Sequence, residues 1–128
     1  MIKYKDIENA AKRISGRATI TPLIESSLLN KKLNGRVLFK AEPLQVTGSF
    51  KFRGAFNKLQ ILQKTTNLKG VVAYSSGNHA QGVAAAASHF KLPALIVMPI
   101  DAPEIKIKNT RALGAEVILY DRYKESRE

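Results

Sequence analysis

Cysteine is absent from the 128-residue chain. That removes disulfide frameworks, zinc–cysteine sites and thiol nucleophiles together. Histidine is scarce, with only His79 and His89, so no metal site is expected. No run approaches the roughly 18 to 20 unbroken apolar residues that a membrane helix needs. The opening Met1-Ile2-Lys3-Tyr4-Lys5-Asp6 also lacks the apolar core of a secretory signal. A cytoplasmic protein with no membrane partner is expected. Acidic residues are few, 10 against 21 Lys and Arg, for a net charge of +11. Such a balance can signal nucleic-acid binding, but the bases are scattered and no basic stripe interleaves with aromatics. Nothing reads as a helix-turn-helix, zinc finger or RNA-binding sheet. Nucleic acid is therefore not the expected partner, and a missing acidic portion of the chain explains the imbalance equally well.

What is present suits one ordinary core, since 45% of the residues are apolar and a chain of this size buries roughly 65 to 70% of its unfolded surface. Ile7, Ala10, Ala11 and Ile14 recur at helical spacing, which predicts a helix over 4–16 ended by Gly16. Thr21-Pro22 interrupts the chain. The segment 25–33 reads as a short helix with Leu28, Leu29 and Leu33 inward, and Asn34-Gly35 turns the chain into a strand over 36–40 with no evident neighbour. A loop over 42–48 leads to a helix that Ser49 is placed to cap, with Phe52, Phe56, Leu59 and Gln63 on one face.

From Gly70 one device repeats. The apolar runs Val71-Val72-Ala73-Tyr74, Ala94-Leu95-Ile96-Val97-Met98 and Val117-Ile118-Leu119-Tyr120 alternate with helical stretches. The first stretch is alanine-rich and runs to about Phe90, and the second starts near Pro103 and stops at Gly114. Short apolar runs separated by helices indicate parallel strands joined by right-handed crossovers, so the fold class is α/β. Residues 121–128 read as a loop opening another charged helix. The pattern is that of the front of a larger α/β protein, an incomplete fold.

In open parallel sheets, ligands bind beyond the carboxyl ends of the strands, where a turn leads into a helix N-terminus. Ser75-Ser76-Gly77-Asn78 falls at such a place, with small polar residues that let a carboxylate or phosphate approach. An ordinary capped strand–helix turn has the same appearance. Lys51 is the second candidate, between Phe50 and Phe52 and close to Arg53. Apolar neighbours and an adjacent positive charge disfavour the ammonium, as a Schiff-base nucleophile requires. The alternative is a surface lysine, and His79 and His89 equally suit helix packing or solvent.

The combination Ser49-Phe50-Lys51-Phe52-Arg53-Gly54-Ala55, followed by Ser75-Ser76-Gly77-Asn78-His79-Ala80-Gln81-Gly82, resembles the threonine dehydratase and serine racemase family of fold type II pyridoxal-phosphate enzymes. Thr21-Pro22-Leu23 and Gly114-Ala115-Glu116-Val117 extend the resemblance over essentially the whole chain. It implies that Lys51 carries pyridoxal 5'-phosphate and removes the substrate α-proton, that Phe50 packs on the cofactor ring, and that Asn78 donates to the pyridoxal hydroxyl. Ser75, Ser76, Gly77, Asn78 and His79 would surround the substrate carboxylate. The implied reaction is β-elimination from threonine, serine or 3-hydroxyaspartate, with an enamine hydrolysing to a 2-oxo acid and ammonia. The stretches Val97-Met98-Pro99, Asp101-Ala102-Pro103 and Leu119-Tyr120-Asp121-Arg122-Tyr123 look most like bacterial hydroxyaspartate ammonia-lyases. Ser76, a catalytic candidate beside Lys51, is also the serine of serine racemases, where a hydroxyl opposite the lysine relays a proton.

The resemblance further implies that residues 1–46 belong to a large domain and 47–128 to a small domain. The family's glycine-rich phosphate loop and the carboxylates of its divalent-metal site would lie beyond residue 128, leaving a catalytically dead fragment as the non-enzymatic alternative. A homodimer, or a complementing C-terminal chain, is the implied assembly. Ser26, Ser27 and Thr47 resemble nucleotide-effector positions of eukaryotic serine racemase, with Val46 standing where a lysine is expected.

Overall fold

The computed structural model describes residues 1–126; residues 127–128 of the expected final helix lie outside them. The chain order is α1 (Tyr4–Ile14), β1 (Leu23–Glu25), α2 (Ser27–Leu33), β2 (Leu38–Lys40), α3 (Lys51–Thr65), β3 (Val71–Tyr74), α4 (Asn78–His89), β4 (Ala94–Pro99), α5 (Glu104–Ala112) and β5 (Glu116–Tyr120). Strands β3, β4 and β5 form a parallel sheet in chain order, confirming the α/β class.

Helix α4 lies at the centre. Ala80, Ala84, Ala86 and Ala87 are all buried, because small side chains let one helix pack closely against both α3 and the sheet. Phe52, Phe56 and Leu59 of α3 face it, and Ile96 and Met98 of β4 complete the core. Gln63, expected on the same face of α3, is exposed. The Phe56 ring meets those of His89 and Phe90 at 5.0 Å each, so His89, though exposed, rests one side of its ring on the aromatic cluster. Gly114, at φ +90°, turns the chain from α5 into β5 in the left-handed region that glycine enters without strain.

Four local expectations are corrected. The 36–40 strand has a neighbour, since Leu23↔Lys40, Ile24↔Phe39 and Glu25↔Leu38 pair antiparallel. Glu25 is consequently a strand residue and does not begin a helix. Arg36 holds it extended through two bonds to its carboxylate, at 2.9 and 3.0 Å, while Ser26 caps α2 by accepting from the Leu29 amide. Second, Leu28 and Leu33 are 78% and 57% exposed, because no layer among the described residues covers that face. Third, Ser49 does not cap α3: Phe50 occupies the cap position in helical conformation, and Ser49 is buried instead. Fourth, residues 121–126 form turns, with no helix among them.

Candidate active site

The carboxyl ends of the three parallel strands and the start of α3 enclose a cleft of about 390 Å³, within the range of small-molecule sites. Lys51 opens α3 on one side. Ser75, Ser76 and His79 come from the β3–α4 turn, and Tyr74, Pro99 and Tyr120 from the ends of β3, β4 and β5. Arg122 follows β5 and completes the wall. Of the residues singled out from sequence, Lys51, Ser75, Ser76 and His79 thus share one wall.

The close packing of α3 on α4 sets where Lys51 stands. A Cβ added to Gly82 would lie 3.1 Å from the Lys51 carbonyl carbon and 3.2 Å from its oxygen, so only glycine lets the two helices meet there without displacement. The Lys51 ammonium lies 5.1 Å from the centre of the Phe50 ring, a cation–π distance. Its other neighbours in sequence turn away. Phe52 is buried in the core, and Arg53 forms a two-pronged pair with Glu42, at 2.9 and 2.7 Å. Phe52 and Arg53 are thus engaged elsewhere, and Phe50 is the neighbour beside the ammonium.

Arg53 also donates to the Thr19 carbonyl at 3.0 Å, and the Thr21 hydroxyl donates to Glu42 at 2.6 Å. Gln45 accepts from the Thr19 amide and donates to the Thr19 carbonyl. This network fastens the 19–21 and 42–45 segments to α3 immediately after Lys51. The Arg53 bonds, with smaller help from Thr21, hold the Glu42 carboxyl down at about 2 against an ordinary 4.5.

On the opposite side the Ser75 amide donates to the Val97 carbonyl at 3.1 Å, extending the sheet by one bond. Its hydroxyl accepts from the Gly77 amide at 3.3 Å, which shapes the turn into α4. The first amides of a helix lack intrahelical partners, so this end of α4 suits an anion. A Cβ at Gly77 would meet nothing within 4 Å, leaving open space above the turn. Burial, and secondarily the Lys51 charge, hold His79 below its ordinary 6.5, so its imidazole is neutral at pH 7. The Asn78 carboxamide oxygen accepts from the Lys106 ammonium at 2.8 Å; Asn78, Gly77 and Phe50 are not on the cleft wall.

A second cleft of about 440 Å³ is lined by Val46, Thr47, Gln81, Lys106 and Asn109 among others. Thr47 is there, whereas Ser26 is committed to capping α2. Among the described residues no group of three or more His, Asp or Glu side chains could hold a metal ion, and no helix is long and apolar enough to cross a membrane.

A lysine and a serine-rich turn share the carboxyl end of a parallel sheet, where ligands bind in such folds, and a lysine can form a Schiff base with a carbonyl compound. Residues 14–128 match the model of the pyridoxal-phosphate dependent enzymes, and the chain belongs to that family. It is 51% identical over 125 residues to the L-threo-3-hydroxyaspartate ammonia-lyase of a Pseudomonas species, covering 98% of this chain and 39% of that protein. It is 47% identical to the serine racemase of Schizosaccharomyces pombe, with the same two coverages. The structure of the serine racemase from Dictyostelium discoideum superposes with a TM-score of 0.89 at 38% identity, covering 98% of this chain and 41% of that one. The fold is accordingly that of the fold type II enzymes. The chain spans about two fifths of the length of the relatives it matches.

The residues present fit the reactive end of pyridoxal phosphate. A primary amine stands exposed in the cleft with an aromatic ring beside it, and Ser75, Ser76 and His79 line the same cleft. Lys51 would hold the cofactor aldehyde, while Phe50 lies beside the amine and off the cleft wall. No cluster of glycines in the chain offers a cradle for the phosphate.

Proposed function

We propose that this chain supplies the lysine-bearing wall of a pyridoxal-phosphate dependent ammonia-lyase acting by β-elimination on a hydroxy amino acid: threonine, serine or 3-hydroxyaspartate. The observation that carries the reading is the placement of Lys51 and the Ser75-Ser76 turn on one cleft. When bound, the cofactor supplies an electron sink for the substrate α-carbon. Lys51 takes the α-proton at its Nζ. The turn residues Ser75, Ser76, Gly77, Asn78 and His79, at the start of a 12-residue helix, bind and orient the α-carboxylate. Neutral His79 adds no charge beside the lysine. Asn78, its oxygen committed to Lys106, has its amide hydrogens left to donate to the pyridoxal hydroxyl. Residues 1–46 serve as part of a large domain and 47–128 as the small domain of a cytoplasmic homodimer.

Ser76 favours a second reading, serine racemisation, because its hydroxyl lines the same cleft as Lys51 and can relay a proton. Titrating the purified chain with pyridoxal phosphate, trapping with borohydride and mapping the adduct by peptide mass tests the cofactor assignment. Trapping concentrated at Lys51 and lost in Lys51→Ala is expected. Adducts scattered over the other lysines would leave only the fold, the catalytically dead alternative. Chiral product analysis, with D-serine as the decisive species, separates racemase from lyase.

A further inference from the structure

The carboxamide of Asn78 is held from outside its own helix. Asn78 is the first residue of α4, and no side chain caps that end. Instead the Lys106 ammonium of α5 donates to Asn78 Oδ1 at 2.8 Å. One turn further along each helix, the Asn109 carboxamide of α5 donates to Gln81 Oε1 at 3.3 Å. Two polar rungs thus join the helices, and they differ in what they specify.

A carboxamide has an acceptor at one end and donors at the other, so a contact between two carboxamides, such as Asn109 and Gln81, forms either way round. An ammonium has donors and no acceptor, so it pairs with the oxygen end alone. Lys106 therefore decides which end of the Asn78 carboxamide faces α5, and it leaves the amide hydrogens for another acceptor. The turn that bears Lys106 is itself fixed. Ile107 and Thr110 are buried, and the Thr110 hydroxyl donates to the Lys106 carbonyl at 2.8 Å.

Resting on the reading above, in which Asn78 donates to the pyridoxal hydroxyl, we infer that Lys106 is a positioning residue for that contact. It lies outside the wall of the Lys51 cleft and acts through Asn78. Its hydrogen bond keeps the carboxamide from turning its oxygen toward the oxygen of the cofactor hydroxyl, where two acceptors would meet.

Two measurements on the chain test this. The first needs no cofactor: NMR relaxation follows the side-chain amide group of Asn78, with exposed Asn67, between α3 and β3, as the reference for an unheld carboxamide. Asn78 is expected to be the more ordered of the two, to approach Asn67 in Lys106→Met, and to recover its order in Lys106→Arg, which restores a donor-only group. An Asn78 side chain as mobile as Asn67 in the unsubstituted chain, or one unchanged by Lys106→Met, would overturn the assignment. The comparison within the unsubstituted chain holds even if a variant fails to fold. The second measurement compares borohydride trapping of pyridoxal phosphate at Lys51 with trapping of its analogue lacking the ring hydroxyl. Lys106→Met is expected to weaken the first about tenfold, the worth of one hydrogen bond to a charged oxygen, and to leave the second within about twofold. Equal weakening of both would make Lys106 a structural residue and overturn the inference. Absence of trapping at Lys51 in the unsubstituted chain, with Asn78 still ordered by Lys106, would overturn the cofactor reading and this inference with it, while leaving the clamp itself standing.

Discussion

Gly82 of α4 sits against the peptide of Lys51 so closely that a methyl group there would come within 3.1 Å of the Lys51 carbonyl carbon. The obstructing atoms are backbone and cannot swing aside as the end of a side chain could. Gly82→Ala gains about 1 kcal/mol of helix propensity against an overpacking cost of about 1–3 kcal/mol. A net loss of up to about 2 kcal/mol in urea unfolding is expected, together with weaker trapping at Lys51. A stabilised variant with unchanged trapping would show that the helices do not set the lysine's position.

The Glu42–Arg53 pair predicts an acid-dependent stability. The carboxyl titrates at about 2 in the folded chain and ordinarily at 4.5, so between these values the unfolded chain binds more protons. The contribution is complete above pH 4.5 and disappears as the pH falls through about 2. Glu42→Gln should cost about 1 kcal/mol at pH 7, after allowance for solvent screening. Urea midpoints of the two proteins should converge as the solution is acidified. A gap independent of pH would assign the loss to packing.

His79 reports on Lys51. Burial is the larger cause of its lowered pKa and the lysine charge the smaller. Lys51→Gln should therefore raise the His79 value without bringing it to the ordinary 6.5. An NMR titration of the imidazole reads this without cofactor. No change on substitution would separate the two residues electrically.

The parallel half of the chain was legible because its signals are local. Each apolar run is a strand, each intervening stretch a helix, and the Ser75-Ser76-Gly77-Asn78 turn stands where a strand–turn–helix rule puts it. The N-terminal part is less transparent. Leu23-Ile24-Glu25 becomes a strand only through pairing with Leu38–Lys40, and neighbours in sequence carry no trace of that register. Ser49 has the side chain of a cap, but tertiary packing buries it. Lys51 was found by its motif, yet its surroundings were misread, because Phe52 and Arg53 point along other directions of the helix. Tyr74, Pro99, Tyr120 and Arg122 were missed as cleft residues. Only the parallel pairing, with Tyr74 opposite Val97 and Pro99 opposite Tyr120, brings them to one end of the sheet. The last residues of the first and third apolar runs, Tyr74 and Tyr120, were the available signal.

Burial is also distributed unevenly. α1, β1, α2 and β2 contain no buried residue, whereas seven of the twelve residues of α4 are buried. Local opening costs least where few apolar contacts must be broken. The N-terminal elements therefore form a layer that exchanges its amide hydrogens through small excursions, and α4 exchanges only when the whole core opens. Helix α3, bound to the outer layer by the Arg53 network and to α4 by its phenylalanines, joins the two regimes. Lys51, at its first turn, stands on the boundary between slow and fast amide exchange.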